Sequence, residues 1–139
     1  MRKGSSLKVV KSFHIHSGSR ISINENASLT LGSGYINNNL NLACFEKITI
    51  GEGVAISENV TIRDSDNHQI TSYKHQKSAH IEIGNNVWIG MNVTILKGVQ
   101  IGNGSIIGAN SVVTRDIPDN SLAIGIPARV IKRNVQWRY

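Results

Sequence analysis

From Ile83 to Val113 an aliphatic side chain returns at every sixth position: Ile83, Ile89, Ile95, Ile101, Ile107 and Val113. The same step links Ile50, Ile56 and Ile62, and a looser pair, Ile23 and Leu29, precedes them. A helix would repeat at 3.6 and a half-buried strand at 2, so neither ordinary period accounts for the pattern. Four residues after most of these aliphatics stands a second small or β-branched side chain: Val54, Val60, Val87, Val93, Val99, Ser105 and Ser111. Gly51, Gly84, Gly90, Gly102 and Gly108 directly follow a repeated aliphatic, and Asn, Asp and Glu fill the rest, as turning corners require. The pattern predicts an all-β solenoid. Each hexad supplies a strand of about four residues and a two-residue corner, and three hexads close a triangular coil. Stacked at roughly 4.8 Å, such coils line up their aliphatics as interior ladders, each coil buried by its neighbours. A helix through so many Gly-containing turns would lose about 1 kcal/mol per Gly. A two-sheet sandwich has no reason to keep a six-residue step.

The period divides the single expected domain, residues 1–139. Residues 1–22 are basic with weak alternation at Val9, Phe13, Ile15 and Ile21, and read as a leading cap or partial first coil. Residues 23–62 hold about two coils, interrupted by Asn37–Lys47, and 83–118 hold two regular ones. Between them, residues 63–82 drop the pattern and carry three of the five His residues. After Pro118 the period is lost and a basic tail, 119–139, reads as a cap. A loop breaking a regular solenoid is where function tends to sit. There His68 lies near Asp64, Asp66 and Asn67, a composition that suits a general base or an incidental surface histidine equally well.

Bulk composition narrows the partners. Fifteen Lys and Arg against nine Asp and Glu give a formal charge of +6, which favours an anionic ligand. Aromatics at 5% are too few for single-strand nucleic-acid platforms, and no RNA or DNA motif is present. The single cysteine, Cys44, excludes an internal disulfide and reads as a small buried residue. No run reaches the ~18 apolar residues of a membrane span, and no apolar stretch follows the basic N-terminus, so a cytoplasmic location is expected.

The hexads, together with "IGNNVWIG", "IGANSVVTRDIPDN" and "GIPARVI" in that order, resemble the hexapeptide-repeat acyltransferases over roughly residues 31–133. The likeness is greatest to the galactoside, maltose and nodulation-type sugar O-acetyltransferases. It implies a left-handed parallel β-helix and a homotrimer with active sites between subunits. It implies acetyl-CoA as co-substrate, no metal, and a sugar or glycan acceptor, as in the synthesis of bacterial surface polysaccharide or lipopolysaccharide. It assigns His68 as base, oriented by Asp64, Asp66 or a backbone carbonyl, and the Met91 amide as oxyanion donor. It places Asn37, with Asp64 and Asp66, at the acceptor, and Trp88, Ala109, Ser111, Thr114, Arg115, Arg129 and Lys132 or Arg133 along CoA. Met91 departs from the small polar residue of the better-known relatives. Three other readings compete. One is an N-acetyltransferase acting on an amino-sugar nucleotide. Another is a non-catalytic structural solenoid. The third is a γ-type carbonic anhydrase, for which His75 and His80 lack a well-placed third ligand.

Overall fold

The computed structural model describes residues 1–139, and the expected parallel β-solenoid forms. Its first coil is β1 (Ser6–Val9), β2 (Phe13–Ile15) and β3 (Arg20–Ile23). The second is β4 (Ser28–Leu31), β5 (Gly34–Ile36) and β6 (Asn41–Cys44), and the third β7 (Lys47–Ile50), β8 (Val54–Ile56) and β9 (Thr61–Arg63). The fourth is β10 (Ile81–Ile83), β11 (Trp88–Ile89) and β12 (Thr94–Ile95), and the fifth β13 (Gln100–Ile101), β14 (Ile106–Ile107) and β15 (Val112–Val113). Residues 1–22 therefore contribute strands to a complete coil. On the second face β16 (Ser121–Gly125) extends the stack past Pro118, and β17 (Ala128–Arg133) returns antiparallel to it.

Like strands of successive coils pair in parallel, giving three faces of five, seven and five strands. In a regular coil Glu82 lies opposite Gln100, 18 residues on, as the hexad arithmetic requires. The registers hold the ladders: Ile56, Ile89, Ile107 and Ala123 stack on the second face, and Ile62, Ile95 and Val113 on the third. These side chains join a core of 27 buried residues that also contains Val54, Val60, Val87, Val93 and Val99. Asparagine turns many corners in the left-handed conformation, which it tolerates better than most residues. At the edge between the second and third faces, Asn39, Asn59, Asn92 and Asn110 have φ of 65°, 57°, 58° and 62°. Their amides link in pairs, Asn39 to Asn59 at 3.1 Å and Asn92 to Asn110 at 3.0 Å. Against this regularity, Ile48 pairs with Ile81 across the long loop, so that loop is extruded from the edge between the third and first faces.

Candidate functional site

Two edges of the prism carry the candidate chemistry. The edge between the second and third faces stacks Asn38, Glu58, Met91 and Ala109, tied by Asn59 N–H to the Asn38 carbonyl, Asn92 N–H to that of Glu58 and Asn110 N–H to that of Met91. On the edge between the first and second faces, the equivalent amides are capped from the coil above. Glu52 N–H donates to Asn85 Oδ1 at 2.9 Å, Asn85 N–H to Asn103 Oδ1 at 2.8 Å, and Asn103 N–H to Asp119 Oδ1 at 2.8 Å. Above Met91 stands Ala109, which has no acceptor, and the amides of Glu58, Met91 and Ala109 have no partner in the chain. These open N–H groups border a groove of about 510 Å³ with Trp88, Met91, Ile106 and Leu122 in its walls. Apolar walls around a few convergent donors are the usual make-up of a small-molecule site. A concavity of about 560 Å³ over the first face offers less, because the corner amides of Asn85 and Asn103 there are already bonded.

Asn37 sits on the groove's edge, its side-chain amide 3.4 Å from Glu58 Oε1. Glu58 was not anticipated from the sequence, although it aligns with Met91 once the loop is skipped. Trp88 points outward, 42% exposed, in register with Ala55 below and Ile106 above. The resemblance implies CoA as its cover. The chain's own tail supplies part of one, with the Trp137 ring centred 6.0 Å away. Lys132 lies opposite Leu122 on the groove's upper rim, and Arg129 opposite Ile124, both exposed. Thr114 and Arg115, also exposed, turn the edge between the third and first faces, above the loop that carries His68. Ser111 corrects an expectation: it is fully buried, its Oγ accepting Gly125 N–H at 3.0 Å, so it lines no outer groove.

On the loop, His68 is exposed and neither ring nitrogen is bonded within the chain. Asp64 does not orient it. Its carboxylate is fully buried and accepts three backbone amides of the coil below: Phe45 at 2.7 Å, Glu46 at 2.9 Å and Lys47 at 2.8 Å. A buried charge so bonded holds a corner and is unavailable to an acceptor. Beside it the Cys44 thiol is pushed up to about 12 by burial and the Asp64 charge. Asp66 orients a different histidine: His75 Nε2 lies 2.8 Å from its Oδ2, and Lys97 Nζ 3.2 Å. Partial burial alone would raise the Asp66 carboxyl, but the hydrogen bonds from His75 and Lys97 outweigh it and lower the carboxyl. Nδ1 of His75 accepts Ile70 N–H at 3.1 Å, so both its nitrogens are engaged and it staples the loop. His80 is held by Glu46 at 2.9 Å.

Residues 80–115 match the family model described as bacterial transferase hexapeptide (six repeats). A solved hexapeptide-repeat containing acetyltransferase of Vibrio cholerae is 30% identical, with a TM-score of 0.66, the match covering 95% of this chain and 74% of that one. The chain belongs to the hexapeptide-repeat acetyltransferase family. A galactoside acetyltransferase solved in complex with coenzyme A is 34% identical with a TM-score of 0.69, over 88% of this chain and 66% of that one. Polysialic acid O-acetyltransferase of Escherichia coli O1:K1 is 39% identical over 124 residues, 86% of this chain and 38% of the relative. This hexapeptide-repeat chain spans about half the length of the curated relatives it matches. No helix in it is long and apolar enough to cross a membrane.

Proposed function

We propose that this chain transfers an acetyl group from acetyl-CoA to a hydroxyl of a sugar, within a homotrimer whose sites lie between subunits. One observation carries the reading: the open Met91 amide at the head of an apolar groove, where its stacked equivalents on the neighbouring edge are capped. The walls at Trp88, Ile106 and Leu122 suit the pantetheine arm, the Ala109 amide can meet a pantetheine carbonyl, and Arg129 and Lys132 on the rim suit phosphate. Acetyl-CoA supplies the activated thioester. His68 takes the proton of the attacking hydroxyl, and the Met91 N–H donates to the oxygen that becomes negative. Collapse of that intermediate breaks the C–S bond, the departing CoA thiolate taking the proton back from His68. Two engaged nitrogens rule His75 out as the base. Asn37 and Glu58, on the same edge, fit hydroxyl groups of the acceptor.

The topology favours the assembly. His68 leaves the edge between the third and first faces, whereas Met91 lies on the edge between the second and third. A neighbouring copy that sets its loop against this groove brings base and donor together. A surface glycan as acceptor is supported by the likeness to the polysialic acid enzyme. The test is thiol release from acetyl-CoA over a panel of sugars, with His68→Ala beside the native chain. His68→Ala is expected to lose about two to four orders of magnitude in turnover and keep its affinity for CoA. Unchanged turnover removes the assigned base.

A further inference from the structure

We infer that the C-terminal segment Val135–Tyr139 is part of the donor site, with Trp137 positioning Trp88 as the wall along which the pantetheine arm runs. The sequence draws the chain's two tryptophans to one outer face. Beyond β17 the chain doubles back down the solenoid: Val135 N–H donates to the Asn120 carbonyl at 3.0 Å, and Trp137 Nε1–H to that of Asn86 at 2.7 Å. These bonds fix the indole at the edge between the first and second faces. From there its ring lies tilted by 48° against that of Trp88, with centroids 6.0 Å apart. Tyr139 closes the clasp, 5.5 Å from Trp137 and 5.5 Å from Tyr35 two coils below.

In its own ladder Trp88 has Ile106 above, but the small side chain of Ala55 beneath leaves the indole without support from below. Trp137 supplies the support from one flank, and the groove with the Met91 and Ala109 amides lies along Trp88 as well. A large ring held in one rotamer gives a pre-formed wall, and pre-forming a wall removes the cost of ordering it when the ligand arrives. The tail therefore acts on donor affinity through Trp88 while touching neither the base nor the oxyanion donor.

The inference rests on the donor reading above, and the experiment separates the two. CoA is titrated into the native chain, Trp137→Ala, Trp137→Phe and Tyr139→Ala, by calorimetry, with thermal melts of each. The expected result is binding about tenfold weaker in Trp137→Ala, the worth of one aromatic pair. Trp137→Phe should recover most of it, and Tyr139→Ala should fall between. KM for acetyl-CoA should rise with binding while kcat changes little. A merely structural tail lowers the melting temperature and leaves CoA affinity within twofold of native, and that result overturns the inference. A native chain that binds no CoA overturns the donor reading itself.

Discussion

Ala109→Asn converts the open corner into a copy of its neighbour. On the edge between the first and second faces, an Asn or Asp one coil up caps the amide below it at 2.8–2.9 Å in three successive coils. Ala109 stands in the same relation to Met91, so an asparagine there would aim its Oδ1 at the Met91 N–H. A hydrogen bond of this kind is worth about 1 kcal/mol of stability. The same bond withdraws the proposed oxyanion donor, a loss of about 10²–10³-fold in turnover. The variant should therefore be more resistant to urea and nearly inactive, an unusual combination. Ala109→Leu controls for bulk, since it fills similar space and offers no acceptor. It should weaken CoA binding, seen in KM, more than it lowers kcat. The assays are urea unfolding and thiol release from acetyl-CoA at saturating substrate. Native turnover in a stabilised Ala109→Asn chain would refute the role of the Met91 amide. An equal fall in kcat in both variants would assign the effect to crowding.

Asp64→Asn should destabilise the chain by about 2–4 kcal/mol, because an amide cannot accept from three backbone N–H groups and turns a donor toward at least one of them. A urea midpoint equal to native would show that the carboxylate is dispensable. The Cys44 thiol keeps its proton up to about pH 12 in the folded chain, against 9.0 unperturbed. Its contribution to stability is therefore complete below pH 9.0 and declines as pH rises toward 12. Urea midpoints from pH 8 to 10.5 should fall more steeply for the native chain than for Cys44→Ala, and parallel curves would contradict this. His75→Ala should free the loop at Ile70 and Asp66, lowering kcat with little change in KM for acetyl-CoA. Loop amide exchange no faster than native would argue against the staple.

The core was legible because one physical rule, burial by the next coil, acts at every hexad, and Ile83 through Val113 obey it without exception. Glycine and asparagine marked the corners for the same reason. The loop was harder. Asp64 and Asp66 stand two residues apart beside His68, and only the coil below distinguishes them: three amides at Phe45–Lys47 draw one carboxylate inside, while His75 and Lys97 hold the other at the surface. Ser111 misled in the opposite sense. Its hexad position is an interior one, and the resemblance had placed it along CoA. The clasp of Trp137 on Trp88 had no signature, because the tail has no period and the contact spans 49 positions of sequence. The open amide at Met91 is readable in retrospect, from the absence of an Asn or Asp at the stacked position, Ala109.

Each coil leans only on those above and below, so resistance to opening is graded along the axis. The strands of the first coil are largely exposed, whereas those of the third are mostly buried. Amide protons of residues 6–23 should exchange before those of the third coil, because each coil that opens uncovers the next. The groove between Glu58 and Ala109 begins two coils above the first, so that coil can fray without disturbing the groove's walls.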